Sequence, residues 1–403
     1  MVPKGWKRVP IKDVCESIID CVNKTAPVVD YETPFKMIRT TNVRNGRVNT
    51  EDVRYVTEDT YLQWVRRGKP QVGDIIFTRE APVGEAGVLQ DAEGIFLGQR
   101  TMMYRADTCL SDNYFLFYSL SSPFCQKQIE DFSNGGTVAH MRVPDCGEIL
   151  INLPPFLEQK KIAQILSTWD KAISVTEKLL TNSQQQKKAL MQQLLTGKKR
   201  LLDENGVRFS GEWCTCTLSE VAHIIMGSSP KSEAYNDNGL GLPLIQGNAD
   251  IKCRVSCPRV YTSDITKECT PGDILLSVRA PVGTVALSQH KACIGRGISA
   301  IKSKRKMSQS FLYQWFLWFE PKWCYLSQGS TFESINSDDI KTLKLSVPNF
   351  EEQQKIAAVL SAADAEISTL EKKLACLRDE KKALMQQLLT GKRRVKVDEA
   401  VAE

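Results

Sequence analysis

The sequence predicts a mixed α/β protein made of two tandem α+β domains, each followed by a long helix. We expect the two helices to pair as an antiparallel coiled coil, with the domains related by a pseudo-twofold axis. Three observations predict this architecture: an internal repeat, a heptad pattern in each copy, and β-rich runs beside aromatic helical segments. The predicted boundaries are 1–155 for the first domain, 156–200 for the central helix, 201–350 for the second domain and 351–403 for the C-terminal helix and tail.

The internal repeat is clearest near the end of each copy, where KKALMQQLLTGK occurs at 187–198 and again at 381–392, an offset of 194 residues. The Glu-Gln pairs at 158–159 and 352–353 share that offset. The Ala-Pro-Val-Gly segments at 81–84 and 280–283 differ by 199, and Trp6 and Trp213 differ by 207. The length differences fall between shared landmarks, where surface loops tolerate insertions. The two copies therefore share the same order of sequence landmarks and differ in the lengths of the loops between them.

The long helices are predicted by apolar residues that recur every seven positions, which is typical of a coiled-coil seam. Pro155 and Pro348 precede the two helices, and Gly197 and Gly391 are expected to end them. Each predicted helix has about 39 residues, hence a length of roughly 58 Å at about 1.5 Å per residue. The seam residues are Ile162, Leu166, Trp169, Ile173, Leu180, Leu190 and Leu194, and Ile356, Leu360, Ile367, Leu370, Leu374, Leu377, Leu384 and Leu388.

The globular parts combine strand and helix signals. The runs at 74–78 and 273–277 are apolar, β-rich and opened by a Gly-Asp turn, which predicts strands. The segments Tyr114–Ile129 and Ser310–Trp323 are aromatic and predict helices. We therefore expect mixed α and β structure in both domains.

Composition limits the functional classes without choosing one. The formal charge of +6 permits an anionic partner but does not identify nucleic acid. The start lacks an apolar leader segment, so we expect a cytoplasmic protein with no membrane partner, and its 13 cysteines are expected to be reduced thiols. Neither the cysteines nor the three histidines show metal-ligand spacing, which predicts no metal site.

Two enzymatic interpretations fail on chemistry. Leu153-Pro154-Pro155-Phe156 resembles the motif of an amino-methyltransferase, but its first position must hydrogen-bond the target amine, which leucine cannot do. Pro144-Asp145 with Glu158 and Lys160 formally matches a nuclease pattern, yet Glu158 and Lys160 lie at a predicted helix start rather than on a strand. A phosphate-binding Gly-Lys-Ser/Thr loop is also missing. We predict no catalytic residue in this chain.

The duplicated order of weak motifs resembles the specificity subunits of type I restriction-modification systems over essentially the whole chain. In each copy an apolar strand with a polar end precedes a Gly-Asp-Ile strand, an Ala-Pro-Val-Gly turn and a glycine-rich segment. A Gly-Thr segment follows, and a Pro-rich entry then leads into the long helix. The Gly-Thr segments are Gly135-Gly136-Thr137 and Gly329-Ser330-Thr331.

That resemblance implies that each domain is a target-recognition domain for half of a bipartite DNA site and that the helices fix the spacer between the halves. It implies double-stranded DNA, two methyltransferase subunits and restriction (translocase) subunits as partners, in a phage-defence system that methylates adenine N6. This chain itself is expected to carry no cofactor, whereas S-adenosylmethionine, ATP and Mg²⁺ are expected in the partner subunits.

The candidate DNA contacts are polar side chains that match base edges or phosphates. Arg79 and Arg279 rank highest, because both copies place an arginine between a rigid strand and a Pro-Val-Gly turn. The full set is Arg39, Asn42, Arg44, Arg79, Arg100, His140 and Arg142 in the first domain, and Gln246, Asn248, Lys252, Arg279, Arg296, Ser334 and Asn336 in the second.

Two alternatives stay open from the sequence. A specificity subunit of a type IIB-like fused system would show the same duplicated frame. A coiled-coil scaffold with paired protein-binding domains would share the helices but would not retain specific DNA.

Overall fold

The computed structural model describes residues 2–133, 139–323 and 334–397. Its internal contacts divide the chain into two units: Met1–Glu177 with Lys372–Glu403 form unit 1, and Lys178–Glu371 form unit 2. Each unit contains one globular domain and a stretch of both long helices. The Gly-Thr segments at 135–137 and 329–331 lie outside the described residues.

The domain of unit 1 is built on a four-stranded antiparallel sheet with the order β2-β10-β7-β8. A three-stranded sheet, β6-β3-β9, and two strand pairs, β1-β11 and β4-β5, complete it. The strands are β1 Lys7–Pro10, β2 Cys15–Asp20, β3 Lys36–Ile38, β4 Val43–Arg44, β5 Arg47–Val48, β6 Arg54–Tyr55, β7 Ile75–Arg79, β8 Val83–Val88, β9 Ile95–Leu97, β10 Thr101–Ala106 and β11 Leu150–Leu153.

Strand β7 shows why this run forms a central strand. All five of its residues are buried, because successive side chains point to opposite, covered faces of the sheet. Ile75 and Phe77 pack with helices α2 Asn113–Leu120 and α3 Pro123–Ser133, whereas Ile76 packs on the other face with β3 and β9. The remaining helices of this domain are α1 Glu58–Trp64 and α4 Val143–Gly147.

The domain of unit 2 repeats this plan with larger sheets. A six-stranded sheet has the order β13-β23-β20-β21-β17-β16, and a five-stranded sheet has the order β14-β18-β15-β22-β19; β12 pairs with β24. Its strands are β12 Cys214–Thr217, β13 Ala222–Met226, β14 Tyr235–Asn236, β15 Leu242–Ile245, β16 Ile251–Lys252, β17 Val255–Ser256, β18 Val260–Thr262, β19 Glu268–Cys269, β20 Ile274–Ser277, β21 Val285–Leu287, β22 Ala292–Ile294, β23 Ile298–Ser303 and β24 Lys344–Val347. Its short helices are α6 Leu218–Val221, α7 Gln309–Phe319 and α8 Ser337–Lys341.

Both predicted strands and both aromatic helical segments are present, with two differences. The helix predicted over Ser310–Trp323 ends at Phe319, and Glu320–Lys322 form a 3-10 turn. The segment predicted as one helix over Tyr114–Ile129 is two helices, because α2 ends at Leu120 and Pro123 begins α3. Proline is favoured in the first turn of a helix and disfavoured in its interior, which accounts for the break.

The long helices are α5 Phe156–Leu194 and α9 Phe350–Leu388, each 39 residues long as predicted. Gly197 and Gly391 follow them with a φ of 69° each, a left-handed conformation that glycine adopts readily. All the seam residues named above are buried or half-buried. The stripe therefore faces protein along both helices.

Within each unit the two helices run antiparallel. In unit 1, Asp170 and Glu177 of α5 meet Lys381 and Arg378 of α9, so position increases along one helix as it decreases along the other. In unit 2, Ser183 hydrogen-bonds Glu366, and Lys187 forms an ion pair with Asp364. The antiparallel pairing is the one predicted from the repeat.

Candidate DNA interface

A buried carboxylate at the start of each long helix forms an ion pair with an arginine in the segment that follows the other long helix. Glu158 is 3% exposed and accepts hydrogen bonds from Arg394 at 2.7 and 2.8 Å. In unit 2, Glu352 is 0% exposed and accepts two hydrogen bonds of 2.7 Å from Arg200. Arg200 and Arg394 occupy equivalent positions of the repeat, so each copy's tail binds the other copy's helix start.

The glutamines that follow these carboxylates connect the helix starts to the domains. Gln159 Oε1 accepts from the backbone N of Asp112 at 3.0 Å, at the beginning of α2. Gln353 Oε1 likewise accepts from the backbone N of Ser308 at 2.8 Å, at the beginning of α7. The repeated Glu-Gln pair therefore has a structural role in both copies, and the nuclease pattern that included Glu158 has no support here.

A second repeated contact joins each domain to both helices. In unit 1, Asp170 accepts from Lys381 at 2.6 Å and from the Tyr118 hydroxyl at 2.6 Å. Burial and this hydrogen bond raise the pKa of Tyr118, which therefore remains a neutral donor. In unit 2 the equivalent Asp364 pairs with Lys187 and accepts from Gln314 at 2.8 Å. The domains are thus attached to the helix pair by matched polar contacts.

Arg79, one of the two leading predicted DNA contacts, is buried and paired inside its own domain. It is 5% exposed, and its guanidinium donates to Asp20 Oδ1 at 3.1 Å and to the Met141 carbonyl at 3.1 Å. A buried arginine paired in this way holds its domain together, because burial without a partner would be costly. The sequence indicated a rigid strand at Arg79, but it did not indicate that the Arg79 side chain points into the interior of the domain.

The pairing of Arg79 with Arg279 is wrong by one residue. The backbone N of Arg79 donates to Arg100 O at 2.9 Å, and in the second copy the equivalent bond runs from Val278 to Gly297 at 2.9 Å. Glu80 forms a β-bridge with His140, and Arg279 forms the corresponding bridge with Ser334. Val278 therefore matches Arg79, and the structural equivalent of Arg279 is Glu80.

Glu80 was missed by the sequence analysis and is the centre of a charged cluster. Its Oε1 lies 2.5 Å from Arg100 Nη1, and its Oε2 lies 3.3 Å from His140 Nδ1. The Glu80 side chain is 14% exposed, whereas those of Arg100 and His140 are 52% and 43% exposed. Two predicted contacts, Arg100 and His140, are thus brought together by an acidic residue. The one signal in the sequence was its place beside the shared Ala-Pro turn.

Three further predicted contacts, Arg39, Asn42 and Arg44, lie between the end of β3 and the end of β4. Asn42 is 4% exposed, and its side-chain amide donates to the carbonyls of Asn49 and Asp52 at 3.2 and 2.6 Å. The Asn42 side chain therefore stabilises this loop. Arg44 is half-buried and donates to the carbonyls of Thr40 and Val43 at 2.7 and 2.9 Å, and Arg39 is half-buried.

The other predicted contacts are more accessible. Arg142 is exposed and forms a two-point pair with Asp145, whose hydrogen bond raises the pKa of Arg142. Arg296 is exposed and donates to Ser229 Oγ at 2.9 Å. Asn336 is exposed, but its side chain accepts from Asp338 N and Asp339 N and so caps α8. Gln246, Lys252, Arg279 and Ser334 are exposed, and Asn248 is half-buried.

Among residues 2–133, 139–323 and 334–397, no group of three or more His, Cys, Asp or Glu side chains is arranged to hold a metal ion. The helices in these same ranges include none with the length and hydropathy of a membrane span.

Comparison with known proteins decides the family. The family model described as "Type I restriction modification DNA specificity domain" matches residues 3–182 and again residues 210–377. The chain belongs to this family. A curated relative, the putative type I restriction enzyme MjaX specificity subunit of Methanocaldococcus jannaschii, is 31% identical over 98% of this chain and 95% of its own length. The type I restriction enzyme MjaVIII specificity subunit of the same organism is 26% identical over 98% of this chain and 94% of its own length.

A solved structure shares the fold of this specificity subunit. The type I restriction-modification S subunit from M. genitalium is 16% identical, covers 96% of each chain and has a TM-score of 0.66. The predicted type I specificity function and the absence of catalysis in this subunit follow from the family, since specificity subunits are non-catalytic components of type I systems. The type IIB-like and scaffold alternatives are not favoured.

Proposed function

We propose that this specificity subunit recognises a bipartite, asymmetric DNA target and directs methyltransferase and restriction subunits to it. One observation carries the proposal: the family match occurs twice, once in each copy of the repeat. The copies place different polar side chains on equivalent backbone positions, as at Glu80 and Arg279. Two such domains would recognise two different half-sites, one each.

The exposed and half-buried residues among the predicted contacts are the proposed DNA contacts. Arginine matches the O6 and N7 acceptors of guanine, glutamine and asparagine match adenine, and lysine binds phosphate. We assign this role to Arg39, Arg44, Arg100, His140 and Arg142 in the first domain, and to Gln246, Asn248, Lys252, Arg279, Arg296, Ser334 and Asn336 in the second. Removal of a base contact should relax one position of one half-site, whereas removal of a phosphate contact should weaken binding to all sequences.

The helices are proposed to set the spacer between the half-sites. A heptad insertion preserves the seam and lengthens each helix by about 10 Å at about 1.5 Å per residue. We would insert one heptad in α5 and a matching one in α9, and determine the methylome of cells that express the variant with its methyltransferase subunit. Both half-sites should persist while the spacer between them changes.

The control for this experiment is an insertion of the same seven residues in the exposed turn at 204–206, outside the helices. That variant should retain the original spacer. Unchanged spacing in the helix variant would overturn the proposed role of the helices. Loss of all sequence-specific methylation, together with a folded complex, would overturn the bipartite target itself.

The chemistry is proposed to lie in partner subunits in the cytoplasm. Two methyltransferase subunits would bind S-adenosylmethionine and methylate adenine N6, and restriction subunits would use ATP and Mg²⁺. Titration of the purified chain with S-adenosylmethionine should therefore give no binding until the methyltransferase subunit is added. Binding by the chain alone would contradict this assignment.

A further inference from the structure

Three structurally equivalent positions carry different side chains in the two domains. They are Glu80, Arg100 and His140 in the first, and Arg279, Gly297 and Ser334 in the second. The equivalence rests on backbone bonds and not on sequence identity. Arg79 N bonds Arg100 O, as Val278 N bonds Gly297 O, and the bridges from 80 to 140 and from 279 to 334 coincide. The side chains differ at all three positions, although these backbone contacts are shared.

In the first domain the three side chains form one unit. Each oxygen of Glu80 has one partner, Arg100 Nη1 at 2.5 Å and His140 Nδ1 at 3.3 Å. An arginine has five N–H donors, so Arg100 retains donors beyond the one that meets Glu80. Arg100 also has a φ of 67°, in the left-handed region that is uncommon outside glycine, and such conformations concentrate at functional sites. Glu80 thus fixes two half-exposed donors in one orientation.

The second domain cannot build this unit. A Cβ added at Gly297 would lie 2.3 Å from the Gln246 carbonyl oxygen, so an arginine like Arg100 does not fit there. Ser334 is too short to reach as His140 does. The acidic position is occupied instead by Arg279, whose side chain is exposed and whose guanidinium has no hydrogen bond or ion pair with the residues that the structure describes; its carbonyl accepts from Ser277 Oγ at 3.0 Å. The unpaired guanidinium of Arg279 thus stands where the first domain has the Glu80 carboxylate with its two partners, Arg100 and His140.

We propose that position 80 in the first domain and its equivalent 279 in the second determine the base preference of their half-sites by two different devices. Glu80 is a positioning residue that holds Arg100 and His140 toward DNA, and Arg279 contacts a guanine edge directly. This inference rests on the proposed function. It adds a residue outside the candidate set and separates the roles of two positions that occupy the same place in the fold.

The test is selection from a random duplex library by the full chain assembled with its methyltransferase subunit. The variants are E80Q, E80D, R100Q and R279Q, and the matched controls are E130Q and R305Q, which change exposed residues elsewhere on the same domains. E80Q should lower the base preference at one or two positions of one half-site by about fivefold or more, and leave the other half-site unchanged. R279Q should lower the base preference in the other half-site and leave the first half-site unchanged.

R100Q should reproduce the E80Q pattern, and E80D should retain more preference than E80Q because it preserves the carboxylate. A merely structural role for Glu80 would instead lower the yield of folded complex or the affinity for all sequences. If E80Q fails to fold, R100Q and R279Q still test the inference. Base preferences of E80Q and R279Q equal to those of E130Q and R305Q would overturn it. If the wild-type complex enriches no bipartite sequence, the proposed function itself fails.

Discussion

At the scale of single residues, Glu158 and Glu352 are buried carboxylates whose desolvation must be offset by a charged partner. A carboxylate removed from water needs a partner, and each has an arginine in two-point geometry. Trp6 adds a hydrogen bond to Glu158 at 3.1 Å, and the equivalent Trp213 has no hydrogen-bond partner for its indole N–H within the described ranges. The two sites are therefore similar in charge but differ in hydrogen bonding.

Substitution of the arginine partners should destabilise the two units unequally. The Arg200 side chain is 20% exposed and that of Arg394 is 46% exposed, so Arg200→Ala leaves the more completely buried carboxylate unpaired. We expect a loss of about 3 kcal/mol for Arg200→Ala and about 1–2 kcal/mol for Arg394→Ala, because solvent screens the more exposed pair. Native-state hydrogen exchange resolves each unit, and Lys198→Ala is the exposed control. Equal losses would contradict this ranking.

Cysteine reactivity should follow burial. Desolvation raises the pKa of Cys15, Cys125 and Cys146 to about 12 each, so these thiols stay protonated at pH 8, where the thiolate is the reactive form. The exposed Cys109 and Cys253 should be alkylated first. Mass spectrometry after a short iodoacetamide treatment, with and without denaturant, checks this order. Early modification of Cys125 in the native protein would be incompatible with the described core.

At the scale of elements, the seam includes one lysine in each helix, at Lys187 and Lys381. Each pairs with an aspartate of the facing helix that also binds the adjacent domain through Gln314 or Tyr118. Polar residues at seam positions fix register in coiled coils at some cost in stability. Here they fix the helix pair and the domain at the same time.

A double-mutant cycle should detect that coupling. Lys187→Ala and Asp364→Ala, singly and together, are expected to give an interaction energy of about 1 kcal/mol, because the Lys187 side chain is 13% exposed but that of Asp364 is 40% exposed. Urea unfolding supplies the four free energies. The exposed neighbour Lys188, combined with Asp364→Ala, should give an interaction energy near zero, and a value equal to that of Lys187 would refute the contact.

The elements that repeat were predictable, and the orientation of individual side chains was not. Heptads and flanking proline and glycine predicted both long helices, because these signals are local and occur twice. The break at Pro123 and the burial of Arg79 and Asn42 depend on what packs against a loop or strand, which one sequence does not state. The match of Glu80 with Arg279 was hidden because both copies have an arginine near the Ala-Pro turn: Arg279 directly precedes the turn, whereas Glu80 separates Arg79 from it.

At the scale of the whole molecule, the two units use the chain differently. Unit 2 is a continuous segment, Lys178–Glu371, whereas unit 1 needs both the first 177 residues and the last part of the chain. Leu388 and Leu389 are buried in the core of unit 1 together with Ile162 and Leu166, and Arg394 binds Glu158 there.

Truncation after Glu371 should therefore affect one unit selectively. Without Lys372–Leu388 and Arg394, the start of α5 and the helices α2 and α3 should exchange amide hydrogens at least tenfold faster, because core residues and the partner of a buried charge are lost. Strands β13, β20 and β23 of unit 2 should retain their protection. The full chain is the control, and uniform protection in the truncated protein would refute the division.

The reach from Glu158 to Arg394, 236 residues along the chain, has a consequence for biosynthesis. A ribosome translates every residue of unit 2 before it translates the last segment of unit 1. The domain translated first is thus the last to be completed, because its buried Glu158 pairs with Arg394, which is translated after the whole of unit 2. A nascent chain that stalls late would carry one finished domain and one unfinished one. Both domains would be complete only after translation has passed Arg394.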